Sequence, residues 1–243
     1  MSYPIIFVLI ISFIASLVRS TLGFGESLIA VPLFLLFLPV EIAVPLSVML
    51  SFIIALVVVV QDHSNIHFKS AKWLIFYAIP GIPIGIAVLV YGNEFLIKTA
   101  LGILIIFYSL YALFIKSHKI LKRDSMLWLF ICGFLSGILG CAYGLNGPPL
   151  VVYGNRRQWS ARHFRATLQA YFLPASFIGI IGYYAKGLIT TGVCEYFLIA
   201  LPAAIPAIFL GRYLNHQLKD DSFFKYVYGG LVMIGVILIA SST

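Results

Sequence analysis

Residues 140–150 read Gly-Cys-Ala-Tyr-Gly-Leu-Asn-Gly-Pro-Pro-Leu and interrupt sequence that is otherwise apolar. These glycines and adjacent prolines do not fit an unbroken helix, because proline lacks an N–H and clashes with the preceding turn, while glycine adds backbone freedom. In hydrocarbon, such a break is tolerated only where protein or a wet cavity covers the freed backbone groups. Pro148 and Pro149 suit the first turn of a new helix. The stretch therefore predicts a helix, an unwound tip and a second helix.

A shorter break of the same kind lies upstream, where residues 22–28 read Leu-Gly-Phe-Gly-Glu-Ser-Leu and Val-Pro-Leu follows at 31–33. Two broken helices, one in each half of a membrane chain, indicate the binding site of a transporter. The alternative is that the glycines only let neighbouring helices pack closely. Adjacent prolines are not needed for close packing, so the pattern favours a site.

The apolar content of the chain predicts a membrane protein. Of the 243 residues, 62% are hydrophobic and 10% are charged, and the mean hydropathy is +1.06. The runs 40–60 and 95–115 each carry a single charge, and about 20 apolar residues span a bilayer. We read residues 3–18 as a retained first helix, since no positive charge precedes them and no cleavage site follows. The net charge of +8 is assigned to loops and not to nucleic-acid binding, because no basic stripe alternates with exposed aromatic residues.

The apolar segments occur in the same order in two halves, which predicts an all-α polytopic membrane protein with two repeats. Each repeat has a broken helix or re-entrant hairpin followed by three transmembrane helices, and we place the repeats at residues 1–117 and 118–243. The segments are 5–38, 40–60, 73–91 and 95–115 in the first repeat, and 126–153, 165–184, 193–210 and 223–240 in the second.

The distribution of basic residues predicts the topology. If both broken segments are hairpins, the loops after segments 40–60, 95–115, 126–153 and 193–210 share one side, which then holds thirteen of the sixteen Lys and Arg residues and all five histidines. If both segments cross once, the basic residues divide evenly, against the positive-inside bias. The hairpin arrangement puts the basic side in the cytoplasm, both termini outside, and the two repeats in inverted orientation.

The unwound tips have the chemistry of an anion site. The first N–H groups of a helix point into the gap and carry the positive end of its dipole, so they bind a small anion such as a sulfonate, sulfite or carboxylate without a charged side chain. Inverted repeats would bring the two tips together near the membrane midplane. The candidate substrate-binding residues are Ser20, Thr21, Gly23, Gly25, Ser27, Tyr143, Asn146, Gly147, Arg165 and Gln169.

Two charged residues near the first break are further candidates. Glu26 is an intramembrane carboxylate with two possible roles. It either couples proton movement to transport or stabilises the positive end of the dipole of the helix that follows it. Arg19 either meets Glu26 or the substrate, or it extends to the membrane surface.

Other polar groups leave two interpretations open. Gln169 and Tyr171 either line the substrate path or cap the end of their helix, and the basic loop 155–165 is either a vestibule or an anchor for lipid headgroups. His63 and His67 have helical spacing, but they flank a polar loop and have no acidic neighbour other than Asp62, so we expect no metal site there. The cysteines show no disulfide or zinc spacing, and no nucleophile–base pair, phosphate loop or dinucleotide fingerprint occurs. We expect no metal, no cofactor and no enzyme activity.

Three stretches together resemble the sulfite exporter TauE/SafE family, and the likeness covers nearly the whole chain. They are Gly-Phe-Gly-Glu-Ser-Leu-Ile-Ala-Val-Pro at 23–32, Ala-Tyr-Gly-Leu-Asn-Gly-Pro-Pro-Leu-Val-Val-Tyr at 142–153, and Phe-Arg-Ala-Thr-Leu-Gln-Ala-Tyr-Phe-Leu-Pro at 164–174. The resemblance implies a permease for small sulfur-containing or organic anions, such as sulfite or sulfonates, and no enzyme activity. The family often has a run of glycines where this chain has Gly25-Glu26-Ser27, a departure that bears on the substrate.

The sequence thus predicts a proton-coupled secondary transporter in the bacterial cytoplasmic membrane, with a small anion and membrane lipid as its partners and no nucleic acid. The alternatives are a membrane-embedded scaffold or assembly subunit without its own substrate, and an anion channel.

Overall fold

The computed structural model describes residues 2–114, 121, 124–217 and 236, and its regular structure is helical. A short 3₁₀ turn, His63–Asn65, follows α3. Apart from residue 236, which is helical, the predicted last span at 223–240 lies outside the described residues. The helices are α1 (Ser2–Leu22), α2 (Glu26–Phe34), α3 (Val40–Asp62), α4 (Phe68–Ala78), α5 (Gly81–Tyr91), α6 (Glu94–Phe114), α7 (Met126–Tyr143), α8 (Gly147–Arg156), α9 (Ala161–Ala185) and α10 (Thr191–Gln217).

Six of these helices are long and apolar enough to cross a membrane, and a bent pair, α4 with α5, brings the number to seven. The six are α1, α3, α6, α7, α9 and α10. The prediction of an all-α polytopic membrane protein is therefore confirmed. The inverted relation of the two repeats stays a prediction.

The third segment of the first half differs from its predicted form. The pattern predicts one span at 73–91, whereas the structure has α4 and α5, bent by 47°. Pro80 stands at the start of α5, and a proline ring clashes with the carbonyl four residues earlier, which favours a break there. The matching segment of the second half, α10, contains Pro202 and Pro206 and stays one helix.

Both broken segments fold back on themselves. Phe7, near the start of α1, packs against Phe37, which follows α2, with ring centroids 5.9 Å apart. Asp124, which precedes α7, pairs at 3.0 Å with Arg157, which follows α8. Each segment therefore returns to the side from which it started.

The two arms of each hairpin differ in length. The first arms, α1 and α7, have 21 and 18 residues, and the second arms, α2 and α8, have 9 and 10. At about 1.5 Å per residue, the second arms reach about half of the ~30 Å hydrocarbon core. Each hairpin thus combines one spanning arm with one half-length arm, a point that segment length in the sequence does not decide.

Candidate functional site

The two breaks face each other across one pocket. The first break contributes Gly25, Glu26 and Ser27 to its lining, and the second contributes Gly144, Asn146 and Gly147. Arg19 from α1 and Phe172 from α9 close the sides. Two tips that are more than a hundred residues apart in sequence therefore form one site.

The first break is narrower than its sequence predicts. The sequence pattern places the break at residues 22–28, but α1 continues through Leu22 and only residues 23–25 are non-helical. Gly25, with φ of 98°, immediately precedes α2. This left-handed backbone conformation is strained for residues with a Cβ, so glycine is the residue that allows the chain to reverse here.

The second break ends where predicted, at the start of a new helix before Pro148, but α7 continues through Tyr143 and only residues 144–146 are non-helical. Gly144, with φ of 71°, ends α7, and α8 begins at Gly147 with prolines in its first turn. A Cβ on Gly144 would also come within 3.2 Å of Val31 in α2. Glycine at this position therefore both turns the chain and lets the two hairpins approach each other.

The starts of α2 and α8 carry backbone donors into the pocket. The first N–H groups of a helix lack intrahelical partners, and no side chain of the described residues caps either helix. Because Pro148 and Pro149 have no N–H, the donors of α8 are those of Asn146 and Gly147. The Asn146 carbonyl accepts a hydrogen bond of 2.6 Å from the Ser136 hydroxyl, which holds this tip against α7.

Arg19 is buried in the bundle and does not extend to the membrane surface. Its side chain is 2% exposed. Nη1 donates to Glu26 at 3.1 Å and to Ser51 at 2.5 Å, and Nε and Nη2 both donate to Oε1 of Gln169, at 3.2 and 3.0 Å. The guanidinium also lies over the ring of Phe172, 4.5 Å from its centroid. Four of its five N–H donors are engaged by these bonds.

Glu26 is the partner that balances this charge. Oε2 accepts hydrogen bonds from Arg19 and, at 2.9 Å, from Ser27, and Oε1 accepts one of 2.8 Å from Ser47. Its side chain is 0% exposed. The carboxylate stands in the first turn of α2, where the helix dipole favours an acid. The pair is electrically neutral, so the pocket presents helix donors to a ligand without a net side-chain charge.

The pocket is narrow in this structure. The space between the lining atoms is about that of a single water molecule. An oxyanion of several heavy atoms therefore requires the hairpin tips or the helices around them to separate.

An ion cluster lies beside the first tip, where α1, α3, α9 and α10 meet. Arg165 of α9 pairs with Asp62 at the end of α3 and donates to Ser20 of α1 at 3.3 Å. Arg212 of α10 lies 3.6 Å from the same carboxylate. Because Asp62 is half-buried between two arginines, these contacts fasten four helices together beside the first break.

The neighbouring loops are joined by a second polar cluster. Asp124 accepts hydrogen bonds from Ser70 and Tyr153, at 3.1 and 2.7 Å, and forms an ion pair with Arg157 at 3.0 Å. These contacts place the α3–α4 region, the connection before α7 and the end of α8 on one side of the bundle. Three of the four basic loops that are predicted to share a side meet at this cluster. The fourth is joined to the same side through Arg212.

Aromatic side chains on the same side of the bundle pack around His67. Its ring stacks on Trp159, with centroids 5.5 Å apart, and contacts His163 at 4.7 Å. Burial lowers the pKa of His67, and the nearby His163 and Arg157 lower it further, against a smaller opposite effect of Asp124. Among the described residues, no three His, Cys, Asp or Glu side chains converge as a set of metal ligands.

The basic loop at 155–165 is held by the protein. Arg156 lies over the ring of Trp128, 3.9 Å from the centroid. Arg157 donates to the Leu121 carbonyl at 2.7 Å in addition to its pair with Asp124. These cations therefore stabilise the fold of the loops, and the choice between a vestibule and a headgroup anchor stays open.

The predicted site residues fall into two groups. Gly25, Glu26, Ser27, Asn146, Gly147 and Arg19 line the pocket. Gln169 is buried behind it, where it accepts from Arg19 and donates to the Gly23 carbonyl at 2.8 Å. Gln169 thus neither caps its helix nor lines the pocket, and it braces the first break.

The remaining candidates lie outside the lining. Thr21 donates to the Leu17 carbonyl of its own helix, and Ser20 donates to the Ile208 carbonyl. Arg165 belongs to the ion cluster with Asp62. Tyr143 is half-buried at the end of α7.

Sequence reasoning missed two serines of the site. Ser47 binds Glu26 and Ser51 binds Arg19, both from α3. They stand one helical turn apart in an otherwise apolar span, and polar residues at i and i+4 share a face. This spacing is the feature of the sequence that could have identified the two serines.

Comparison with known proteins gives two matches. The family model described as "Sulfite exporter TauE/SafE" matches residues 8–238. A curated protein of Cupriavidus necator, named "Probable sulfite/organosulfonate exporter TauE", is 26% identical over 163 residues, which cover 66% of this chain and 63% of that relative. The match thus spans less than two thirds of the relative's length. No solved structure matches the chain.

Proposed function

Because this chain belongs to the sulfite exporter TauE/SafE family, we propose that it is a secondary membrane transporter for small sulfur-containing or organic anions, such as sulfite or organosulfonates. The main support is the shared pocket, in which two helix starts from different hairpins converge beside a buried arginine. A pair of helix N-termini is suited to an oxyanion and requires no metal or cofactor. We expect transport without any enzymatic step.

The anion binds between the tips in this proposal. Backbone N–H groups of Gly25, Glu26 and Ser27 donate from one side, and those of Asn146 and Gly147 donate from the other. The Ser27 hydroxyl and the Asn146 amide add neutral donors. Discrimination against bulky anions follows from the tight approach of the two hairpins.

Access to the site is controlled beside the first tip. Asp62 joins α3 to α9 and α10 through Arg165 and Arg212, and Phe24 packs edge-on against Phe164, with centroids 6.0 Å apart. Separation of these contacts opens the pocket toward the basic side. The role of Arg165 is thus to close the path and not to bind the anion in the pocket.

Proton coupling runs through Glu26 in this proposal. While Glu26 is ionised, it holds Arg19, whose donors are then largely engaged. Protonation neutralises the carboxylate and leaves the guanidinium as an uncompensated charge beside the pocket, where an anion takes the place of Glu26. Proton and anion therefore bind together, and the buried charges stay balanced at each step.

Purified protein in liposomes tests the function. We expect saturable flux of sulfite or a short organosulfonate that responds to a pH gradient. A scaffold or assembly subunit gives no saturable flux, and an anion channel gives flux that a pH gradient does not drive. Taurine and simple carboxylates in the same assay define the substrate class.

The membrane placement completes the proposal. The protein is an integral membrane protein, and we place it in the bacterial cytoplasmic membrane, with its basic loops in the cytoplasm and both termini outside. Single cysteines introduced in the loop 155–162 should resist a membrane-impermeant reagent added from outside, whereas cysteines at residues 2 and 242 should react. The opposite labelling pattern inverts the orientation.

A further inference from the structure

We propose that a second pocket, behind the tip of the second break, binds a water molecule that completes a hydrogen-bonded chain starting at Arg19. The pocket lies between α7 and α9, and its polar lining comes from Ser136, Asn146, Tyr171 and Ser176. Asn146 lines both pockets. This water site stands whether or not the protein carries an anion.

The chain starts at a group that can only donate. Arg19 donates through Nη1 to the Ser51 hydroxyl at 2.5 Å. Since the Ser51 oxygen accepts that bond, its own hydrogen is available for the Ser176 oxygen, 3.2 Å away. A guanidinium has no acceptor atom, so Arg19 is the donor at the start of this chain, which continues from α1 through α3 to α9. It ends at Ser176, on the wall of the second pocket.

Tyr171 supplies the independent evidence for a ligand. Its side chain is 0% exposed, it lines the second pocket, and its hydroxyl makes no well-formed hydrogen bond among the described residues. The nearby Ser136 hydroxyl already donates its hydrogen to the Asn146 carbonyl. Native proteins rarely leave a buried hydroxyl unpaired, because its bonds to water are lost without replacement. The hydroxyl therefore requires a partner in the pocket.

Size and charge identify that partner as water. The free space is about that of one water molecule, and such a site needs two to four polar partners. Tyr171, Ser176 and Asn146 provide three. No charged side chain of the described residues lines the pocket, and an anion buried there would lack a counter-charge. A neutral donor and acceptor fits, whereas sulfite or a sulfonate does not.

The water links the tip of the second break to Arg19, the buried cation beside the first break. It accepts from Ser176 and bonds to Tyr171 and to the side chain of Asn146, the residue that immediately precedes α8. Arg19 is then tied to both hairpin tips, through Glu26 on one side and through Ser51, Ser176 and water on the other. Hydrogen bonds in such a chain polarise one another, so the chain also stabilises the buried guanidinium.

Radiolytic hydroxyl-radical labelling of the full-length protein tests the site, because radicals made from a bound water modify the side chain beside it. Tyr183 is the matched control, since it is also 0% exposed but donates to the Cys141 carbonyl at 2.7 Å and lines neither pocket. We expect Tyr171 to be modified several-fold faster than Tyr183. Ser176→Ala should slow the labelling of Tyr171. Equal, slow labelling of the two tyrosines overturns the proposal.

Thermal unfolding supplies a second readout that does not depend on radicals. If the Tyr171 hydroxyl holds a water, Tyr171→Phe loses a hydrogen bond and lowers the Tm, as Tyr183→Phe should by losing its bond to Cys141. If the hydroxyl is dry and unpaired, Tyr171→Phe removes a buried polar group without a partner, and the Tm rises. A rise would overturn the proposal, and neither measurement requires transport.

Discussion

Arg19 and Glu26 meet across the first break as a buried ion pair, with Nη1 of the arginine 3.1 Å from Oε2 of the glutamate. The two residues are seven positions apart, and the reversal of the chain at residues 23–25 brings them together. Each carries enough other hydrogen bonds to satisfy a buried charge: Arg19 to Ser51 and Gln169, and Glu26 to Ser27 and Ser47. The pair thus joins α1, α2, α3 and α9 at one point.

Breaking this pair should destabilise the protein strongly. Removal of one partner leaves an uncompensated buried charge, which costs about 3–5 kcal/mol, so Arg19→Met should lower the free energy of unfolding by an amount of that order. Adding Glu26→Gln to Arg19→Met should restore part of the loss, because the orphan charge is then gone. Denaturant unfolding in detergent measures both. Lys98→Met, which breaks the more exposed pair with Glu94, is the control and should cost less than about 1 kcal/mol.

The pH dependence of anion binding should disappear in Glu26→Gln. In the wild type, falling pH protonates Glu26 and frees Arg19 for the anion, so affinity should rise as pH falls. Glutamine mimics the protonated form, so the variant should bind the anion with the high affinity at every pH tested. Measuring substrate affinity against pH in both proteins tests whether Glu26 is the group that responds to pH. Glu41→Gln, at an exposed glutamate in the first turn of α3, should keep the wild-type profile. An unchanged profile in Glu26→Gln would leave this residue as a structural partner of Arg19.

Gly147→Leu should abolish transport while leaving the protein inserted in the membrane. A Cβ on Gly147 would meet Phe24 at 3.6 Å, an ordinary contact, so the backbone accepts it. A leucine side chain would then occupy the gap between the tips and cover the N–H groups of α8. Flux in liposomes and the amount of protein in the membrane are both measured. Gly192→Leu is the control, because its Cβ has only the Thr190 hydroxyl nearby, at 3.9 Å. Normal flux in Gly147→Leu would show that the tip only packs the two hairpins together and does not bind the anion.

Asp62→Asn should expose the pocket to the basic side of the membrane. The change weakens the contacts with Arg165 and Arg212 that fasten α3 to α9 and α10. We expect a Ser27→Cys reporter, in a background without the native cysteines, to react faster with an impermeant thiol reagent in inside-out vesicles. Glu94→Gln, which alters a more exposed ion pair, should leave the rate unchanged. If Asp62→Asn also leaves it unchanged, access is controlled elsewhere.

Local sequence was sufficient to predict the elements of this fold. Glycine and proline act on the backbone of their own turn, so the break before Pro148 and Pro149 was placed correctly. Apolar runs such as 40–60 and 95–115 were recognised as spans, whereas the run at 73–91 forms the bent pair of α4 and α5. The clustering of basic residues also predicted which loops lie together, because that bias follows from the membrane and not from packing. Even locally, the limits were imperfect: α1 continues to Leu22 because no residue before Gly23 opposes the helix.

The partners of the polar side chains were decided only by the tertiary structure. Gln169 bonds to Arg19 across 150 positions, and nothing in either helix specifies the rotation and axial shift that bring them together. A helical pattern indicates which face of a helix is buried, but it does not indicate which residue of another helix lies opposite. For that reason Arg165 was expected at the substrate and lies against Asp62, while Ser51 was overlooked. Packing of the two hairpins against α3 and α9 selects these pairs, because a buried polar group is stable only where a partner meets it.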